Sequence, residues 1–402
     1  MFHNILIHYV WLGIIMAIVA FIVSYAMYPT VLRAARVWRI YDNPDARKLQ
    51  RYPIPVLGGV TVYFGIVISL SILLSIWFEM KIVMLMLAAT CLLLVGVWDD
   101  IKKLSVAFRF LVEIGVVLVL VFGNGSMIDS FHGLWGVEML PLWLAYLLSI
   151  ITGVGIINSI NLIDGVDGYS SGYSIISCLM FALLFYVARI PGMAIICLVC
   201  TGGLLPFFLH NVFGKKTKMF IGDGGTLMIG TLMTSFVFSI LKSSSACMHL
   251  YEHRVNLIAL TLAILCLPVF DTLRVMSIRM IRGNSPFKPD KTHLHHLFID
   301  YGFSHVGTTI HILCLNILVV LIWLVSWVAG ANIELQLYIV ILMGVLITFV
   351  LYSVGRYLER KQSDVYRHIC SYGAKSHIEN GRFGIWMQKL VDDELFSDGK
   401  NE

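Results

Sequence analysis

The chain has 402 residues, of which 58% are hydrophobic, and its 29 Lys and Arg and 24 Asp and Glu amount to only 13% of the sequence. Soluble domains average roughly 25% charged and 45–50% apolar residues, so this composition excludes a soluble multidomain enzyme, a disordered chain and a disulfide scaffold. An integral membrane protein remains, and at roughly 20 residues per span the apolar residues suffice for about eleven helices.

Continuous apolar runs, rather than alternating ones, predict helical spans and exclude a transmembrane barrel. The candidate spans lie at 10–30, 56–78, 82–98, 108–122, 139–157, 171–188, 192–213, 225–241, 255–273, 307–330 and 334–355. The sequence therefore predicts an all-α, polytopic membrane protein with about 11 transmembrane helices. The first run lacks a basic leader and a cleavage site, so we expect a retained span rather than a signal peptide.

The cations are strongly biased toward one side of these spans. Of the 29 Lys and Arg residues, 25 lie in loops after odd-numbered spans or in the C-terminal tail. Because cytoplasmic loops retain the excess of Lys and Arg, we expect the N-terminus outside and the C-terminus in the cytoplasm. The predicted domains are a transmembrane domain at 1–355 and a short polar tail at 356–402, below the usual domain minimum of about 50 residues.

Aspartates gather where predicted helices meet the cytoplasm. Asp99 and Asp100 end the third span, Asp164 and Asp167 follow the fifth, and Asp223 precedes the eighth. Neighbouring carboxylates repel each other unless a cation or a shared proton neutralises them. Mg²⁺ binds one or two carboxylates together with waters and substrate phosphate oxygens. The pattern therefore indicates phosphoryl transfer at the cytoplasmic face, although any one of these acids alone is equally typical of a solvated helix end.

Four polar residues near the end of the fifth span recur at every third position: Asn158, Asn161, Asp164 and Asp167. A step of three residues turns an α-helix by 300°, so the four side chains cannot share one helix face. Gly165 and Gly168 predict that the helix ends or tightens here. Helix capping explains one or two of these residues but not all four.

The segment SPFKPDKTHLHHLF carries Asp290 and three histidines, His293, His295 and His296. We expect Asp290 to cap a new helix on which His293 and His296 share a face. The histidines would supply cationic donors to a diphosphate. Zinc is the rival interpretation, but no Cys or second His pair lies nearby in sequence. The remaining histidines, including His305, are interpreted as structural or incidental.

Two further pairs receive structural interpretations. Arg109 and Glu113 are expected to pair across one helical turn. Cys197 and Cys200 form a CxxC motif within the seventh span, where we expect them to be small apolar fillers.

The motifs DNPDARK…PIPVLGG, GVWDD, NLIDGVDG, MFIGDGGTL, PVFDTLRV and SPFKPDKTHLHHLF occur in this order between Tyr41 and Gly302. Together they closely resemble the polyprenyl-phosphate N-acetylhexosamine-1-phosphate transferases. The HLHH segment is similar to the branch that starts O-antigen, enterobacterial common antigen and teichoic acid glycans, not to the translocase branch with its three consecutive histidines.

This resemblance implies a reaction. A UDP-N-acetylhexosamine, foremost UDP-GlcNAc, would give its sugar 1-phosphate to undecaprenyl phosphate and release UMP, on the cytoplasmic face of a bacterial inner membrane. The implied cofactor is Mg²⁺, with Mn²⁺ as an alternative, and no nucleic acid partner is expected. The sequence leaves open whether the chain forms a homodimer, which N-acetylhexosamine it uses and which glycan follows.

The resemblance also implies residue roles. It assigns catalytic roles to Asp99, Asp100, Asp164 and Asp167, and it implies that Asp223 and Asp100 bind the metal. The residues implied to bind substrate are Lys48, Asn158, Asn161, Asn211, Phe220, His293, His295 and His296. Which of Asp99 and Asp100 acts as base stays open, and no role is assigned to Gln50 and Val56, which replace the family's usual His and Arg. The rival function is an ion- or proton-coupled transporter, which would place its acids near the bilayer midplane.

Overall fold

The computed structural model describes residues 2–44, 50, 52–287 and 290–393, with the backbone alone at 2–7, 248 and 393. The helices are α1 (Phe2–Val37), α2 (Gly58–Ile76), α3 (Met80–Lys102), α4 (Val106–Asn124), α5 (Leu142–Leu162), α6 (Tyr169–Val187), α7 (Pro191–Phe213), α8 (Gly222–Leu241), α9 (Met248–Glu252), α10 (Leu257–Ile264), α11 (Cys266–Ile281), α12 (Leu294–Asp300), α13 (His305–Val328), α14 (Ile333–Val345), α15 (Tyr352–Lys361), α16 (Asp364–Gly373) and α17 (Arg382–Asp393). Short 3₁₀ turns occur at Leu134–Gly136 and Ile378–Asn380, and a π-helical segment, Leu346–Leu351, joins α14 to α15. Strands β1 (Tyr41–Asp42) and β2 (Ile54–Pro55) pair antiparallel.

The predicted all-α, multi-pass membrane fold is confirmed. Within the described residues, ten helices are long and apolar enough to cross a membrane, and eleven if the bent pair α10 and α11 counts as one span. Each overlaps one of the eleven predicted runs. The last span continues without a break from Ile333 to Lys361, across the predicted domain boundary at 355, and the division into two domains stays a prediction.

The ninth span is broken rather than straight. Helices α10 and α11 meet at 77°, and Pro268 follows the break. Proline has no N–H to donate to the carbonyl four residues earlier, here that of Ile264, and its ring clashes with that carbonyl. The Ile264 carbonyl instead accepts from the Tyr173 hydroxyl at 2.7 Å and the Asn316 amide at 3.1 Å. Polar side chains from neighbouring helices thus satisfy the backbone at a break inside the membrane.

Helix α8 is the centre of the bundle. Of its membrane-spanning window, 94% is buried inside the protein, and α2, α3 and α5 pack around it. Its sequence is rich in Gly, Ser and Thr, which allow helix backbones to approach closely in membranes. In contrast, α1 exposes Trp11, Ile15 and Ile18 on its outer surface, as expected for a lipid-facing helix.

Helices α3 and α8 approach each other closely at this centre. A Cβ atom built at Gly96 would lie 2.3 Å from the backbone nitrogen of Gly224. We therefore expect Gly96→Ala to push the helices apart and lower the free energy of unfolding by about 1–3 kcal/mol, as overpacking does. Activity should fall with it, because these helices carry Asp100 and Asp223. Thermal inactivation of the purified protein in detergent measures the effect.

The matched control is Gly115→Ala on α4, where an added Cβ meets nothing within 4 Å. This variant should inactivate at nearly the wild-type temperature. Equal losses in the two variants would show that the contact between α3 and α8 is not tight.

The loops after the odd-numbered spans meet at one end of the bundle, which we call the site face. Arg36 contacts the Lys216 carbonyl, Lys218 contacts Asp167, and Arg356 contacts Asp300. These contacts confirm the predicted grouping of the cation-rich loops. That this face lies in the cytoplasm stays a prediction.

Candidate active site

Four of the predicted acids surround one cavity on the site face. The cavity measures about 320 Å³ and is lined by the carboxylates of Asp100, Asp164, Asp167 and Asp223. They come from the carboxyl end of α3, the loop after α5 and the first turn of α8. The other lining residues are Asp42, Gln50, Val56, Lys103, Asn161, Gly165, Val166, Asn211, Phe220, Gly222, His296 and His305.

Asp100 and Asp223 meet directly. The backbone N–H of Asp223 donates to Asp100 Oδ1 at 3.2 Å. The preceding Gly222 has a φ of 74°, and a Cβ there would lie 2.5 Å from Asp100 Oδ2. Only glycine readily adopts this left-handed conformation without crowding the carboxylate. The GDGG sequence therefore brings the two acids to the same wall of the cavity.

Asp99 is buried behind this wall and is not among the described residues that line the cavity. Its Oδ1 accepts from the Leu104 N–H at 2.6 Å, and its Oδ2 accepts from Arg109 at 3.3 Å. Successive helix residues point about 100° apart, so two adjacent aspartates reach different surroundings. The structure separates the pair into an inner Asp99 and a cavity-lining Asp100.

Arg109 is a residue whose importance the sequence interpretation missed. The predicted ion pair with Glu113 is present, with Nε 3.4 Å from Oε1. The same guanidinium also contacts Asp99 at 3.3 Å and Asp223 at 3.9 Å. Glu113 is fully buried and accepts a hydrogen bond from the Asn158 amide. Arg109 therefore links the inner acid, the cavity acid and a buried carboxylate.

The four polar residues spaced by three diverge, as predicted, and α5 ends at Leu162. Asn158 faces Glu113 inside the bundle. Asn161 donates to Asp223 Oδ1 at 2.9 Å and to Thr226 at 2.8 Å. Asp164 and Asp167 lie in the loop that follows and line the cavity.

Asp164 and Asp167 experience opposite environments. Burial raises the pKa of Asp164 to about 7, and the nearby charge of Asp223 adds to the effect, against a hydrogen bond from Ser170. Burial would also raise the pKa of Asp167, but His305 at 2.7 Å and Lys218 at 2.6 Å bring this pKa below its ordinary value. Asp167 is therefore an anion at neutral pH, and its Oδ1 is buried without a hydrogen-bond partner.

The three histidines separate into different positions. His293 Nδ1 lies 2.8 Å from Asp271 Oδ2, and His295 packs against Gly165 and the edge of Tyr169. Of the three, His296 lines the cavity. Burial lowers the pKa of His295 well below its ordinary value, and it lowers that of His296 to about 4. Both imidazoles are therefore neutral near pH 7, which differs from the expected cationic donors.

The helix that carries the histidines is not capped by Asp290, so that prediction is wrong. The Leu294 N–H donates instead to Asp271, at 3.1 and 3.2 Å to its two oxygens. Asp290 pairs with Arg279 at 2.9 Å and accepts from Thr292. An acid distant in sequence thus replaces the local one, because α11 lies alongside the start of α12.

The other predicted binding residues have clear positions, except Lys48, which lies outside the described residues. Asn211 Oδ1 accepts from the Gly168 N–H at 2.7 Å, and Asn211 Nδ2 donates to the Met219 carbonyl at 3.0 Å. Both polar atoms of its side-chain amide are therefore bonded to the backbone. Phe220 lines the cavity. Gln50 and Val56, the two departures from the family pattern, line the same cavity.

Lys218 and His305 are the other site residues that sequence reasoning missed. Both contact Asp167, but His305 lies 138 residues after it in sequence. Only a weak indication of these roles is present in the sequence, because each residue lies within seven positions of a predicted span start on the cation-rich side.

The cavity suits a divalent cation bound together with phosphate. No group of three or more His, Cys, Asp or Glu side chains among the described residues is arranged to bind a metal unaided. The acids outnumber the cations at the cavity, where Lys103 is the only Lys or Arg among the described lining residues. Two carboxylates, completed by waters and phosphate oxygens, are a typical Mg²⁺ environment. Asp100 and Asp223 are the candidate carboxylates for such a site.

An apolar groove of about 710 Å³ ends beside this site. Residues of α4, α5, α8, α10 and α11 line it, together with the loop residues Ile128, Phe131 and Phe287. Phe110, the neighbour of Arg109 in sequence, is among the lining residues. Asn158 also lines the groove, and its amide oxygen lies 3.5 Å from the Arg109 guanidinium. A long apolar molecule in this groove would have its end near Arg109.

Comparison with known proteins agrees with the resemblance seen in the motifs. The family described as Glycosyl transferase family 4 matches residues 82–241. A probable undecaprenyl-phosphate N-acetylglucosaminyl 1-phosphate transferase of Bacillus subtilis (strain 168) is 31% identical over 295 residues, covering 72% of this chain and 78% of the relative. The undecaprenyl-phosphate alpha-N-acetylglucosaminyl 1-phosphate transferase of Escherichia coli (strain K12) is 27% identical over 277 residues, 68% of this chain and 72% of the relative.

A third relative carries the same name. The Yersinia pestis protein is 29% identical over 272 residues, covering 66% of this chain and 71% of its own length. The similarity to the Bacillus protein, together with the family match over α3–α8, identifies this chain as a multi-pass membrane member of glycosyl transferase family 4.

Proposed function

We propose that the chain transfers the sugar 1-phosphate of a UDP-N-acetylhexosamine, foremost UDP-GlcNAc, to undecaprenyl phosphate, and so starts a cell-surface glycan. The observation that carries this proposal is an acid-lined cavity that lies beside the end of an apolar groove. A cavity of this kind suits a metal-bound diphosphate, and the groove suits a polyprenyl chain. The names of the relatives supply the acceptor and the sugar.

The chemical step needs one bond formed and one broken. A phosphate oxygen of the lipid attacks the phosphorus that bears the sugar, and the bond from that phosphorus to the bridging oxygen breaks. UMP leaves with the bridging oxygen and its electron pair. A lipid phosphate, with a second pKa of roughly 6, is already largely ionised near pH 7, so attack needs little help from a general base.

In this proposal the acids have separate tasks. Asp100 and Asp223 would hold Mg²⁺, which when bound neutralises charge on the diphosphate and at the reacting phosphorus. Asp99 lies behind the cavity and orients Arg109, whose guanidinium lies near the end of the apolar groove and would receive the lipid phosphate. His296, as a neutral donor, would hydrogen-bond the sugar or diphosphate.

We place the site face in the cytoplasm of a bacterial inner membrane, because most of the cations lie in its loops and tail. A nucleotide sugar would then enter from the cytoplasm. The alternative, a coupled transporter, would need ionisable residues near the bilayer midplane. The carboxylates of this site lie instead at helix ends.

The test is transfer by the purified protein. Radiolabelled UDP-GlcNAc and undecaprenyl phosphate should give a lipid-extractable product and an equal amount of UMP. EDTA should stop the reaction and added Mg²⁺ should restore it. Undecaprenol, which lacks the phosphate nucleophile, is the control acceptor and should give no product. Absence of lipid-linked product across a panel of UDP-N-acetylhexosamines would overturn the proposal.

A further inference from the structure

A second, larger cavity opens next to the acid-lined one. It measures about 1060 Å³ and shares four lining residues with the first cavity: Gln50, Asp167, Phe220 and His305. One of its walls comes from the C-terminal tail, which contributes His377, Glu379, Asn380, Gly384, Ile385 and Gln388. We call it the tail cavity. Because the two cavities adjoin, a ligand that extends from the acids would enter the tail cavity.

The tail cavity is rich in cations and aromatic rings. Its lining contains the cations Arg36, Lys215, Lys216 and Lys218, against the carboxylates of Asp167 and Glu379. Tyr41, Tyr52, Phe213 and Phe220 supply the rings. Cations that bind phosphate, next to rings that stack on a planar base, are the features expected of a nucleotide site.

The tail holds the loop that supplies three of these cations. Asp392, on α17, is 5% exposed, and its carboxylate accepts from the N–H groups of Lys215, Lys216 and Thr217 at 3.1–3.2 Å. The Thr217 hydroxyl donates to it at 2.9 Å. A carboxylate that accepts several backbone N–H groups fixes the course of a loop. The position of Lys218 on that loop therefore depends on the tail.

The tail also anchors the opposite side of Asp167. Glu379 accepts from the Ser304 hydroxyl at 2.9 Å, and Ser304 caps α13 through the Gly307 N–H. The next residue, His305, contacts Asp167 at 2.7 Å. Both side-chain partners of Asp167, Lys218 and His305, thus lie on segments that the tail holds in place.

We propose that the C-terminal tail is part of the donor site. It forms one wall of the pocket for the nucleotide of the UDP-sugar and fixes Lys218 and His305 around Asp167. This inference rests on the proposed function for the identity of the ligand. It makes the tail a specificity and positioning element rather than the plain appendage that its composition predicts.

The test compares Asp392→Asn with Asp364→Asn. Asn cannot accept the full set of bonds to the loop, so Asp392→Asn should raise the KM for UDP-GlcNAc about fivefold or more. The KM for undecaprenyl phosphate should stay near wild type, because the lost contacts belong to the wall of the donor pocket rather than to the apolar groove. Asp364 lies on the same tail, and its side chain is 88% exposed, so its variant should leave both KM values unchanged. A general loosening of the fold would instead raise the KM values for both substrates together.

A second variant tests the same inference if Asp392→Asn folds poorly. Gln388→Glu adds a negative charge to the wall of the tail cavity, and Ser371→Glu adds the same charge to an exposed part of the tail. Only the first should weaken donor binding, and added salt should reduce the difference by screening. Equal donor KM values in these two variants would overturn the inference.

Equilibrium binding of radiolabelled UDP-GlcNAc separates this inference from the proposed function. If the wild type binds the nucleotide sugar but transfers nothing, and Gln388→Glu weakens the binding, the transfer proposal fails and the tail inference stands. If transfer occurs and Gln388→Glu binds and reacts like the wild type, the tail inference fails alone. If the wild type neither binds nor transfers, both fail.

Discussion

We expect the Asp223→Asn protein to lose transfer activity by a factor of roughly 10²–10³ while keeping its fold, the size of loss seen when one electrostatic contact to a transition state is removed. The amide has the shape of the carboxylate, and its oxygen can still accept from Asn161, which lies 2.9 Å from Asp223 Oδ1. It lacks the negative charge that would hold Mg²⁺ beside Asp100. The loss should therefore appear in kcat and in the Mg²⁺ concentration needed for half activity.

Asp129→Asn is the control. Asp129 is also a hydrogen-bonded acid, which accepts from the Ser243 N–H at 2.6 Å and the Ser243 hydroxyl at 2.8 Å. Ser243 follows the C-terminal end of α8, which is the end away from the site face. Asp129→Asn should keep nearly full activity per folded molecule. Mg²⁺-dependent UMP release at the wild-type rate by Asp223→Asn would place the metal elsewhere.

The spans could be predicted from the sequence because hydropathy is a local property of the chain. The grouping of the loops followed from the distribution of charge, and the divergence of Asn158, Asn161, Asp164 and Asp167 followed from helix geometry alone. The break in the ninth span was not predicted. Its stability depends on Tyr173 and Asn316, which reach it from other helices.

The partners of the site acids could not be predicted, since they depend on long-range packing. Arg109 was recognised only as the partner of Glu113, four residues away, whereas its contact with Asp223 joins two helices. Asp271 replaced Asp290 as the cap of α12 because α11 lies beside it. Local pattern identified four of the acids that line the cavity but not Asp42, which lines it too. Tertiary packing decided which of the predicted acids face the cavity.

The second large effect concerns Arg274, a fully buried arginine beneath the histidine segment. Its Nη2 donates to Asp271 at 2.7 Å and to the Thr292 carbonyl at 2.5 Å, and its guanidinium lies 3.8 Å from the centre of the Tyr352 ring. Breaking a buried pair on one side costs about 3–5 kcal/mol. Loss of Arg274 would leave the buried Asp271 carboxylate with His293 and the Leu294 N–H as its remaining described partners. We expect Arg274→Met to lower the free energy of unfolding by about that amount.

Arg356→Met is a closely matched control. Arg356 lies over the same Tyr352 ring, at 5.3 Å, and its ion pairs with Asp300 and Glu359 are 2.7 and 2.8 Å long. However, its side chain is 21% exposed, and ion pairs open to solvent contribute about 1 kcal/mol or less. Thermal inactivation in detergent should therefore separate the two variants clearly. Equal losses would mean that the aromatic contact they share, rather than burial of the Asp271–Arg274 pair, stabilises this region.

Transfer activity gives a second, independent test of the contact between Asp271 and Arg274. Asp271 both pairs with Arg274 and accepts from His293 and the Leu294 N–H, so movement of Asp271 would displace the start of α12 and with it His296. Arg274→Met should therefore lose activity even at temperatures where it stays folded, whereas Arg356→Met should not. If Arg274→Met is less stable but fully active below its inactivation temperature, then Arg274 stabilises the fold but does not position the site. Asp271 would then hold the histidine segment without Arg274.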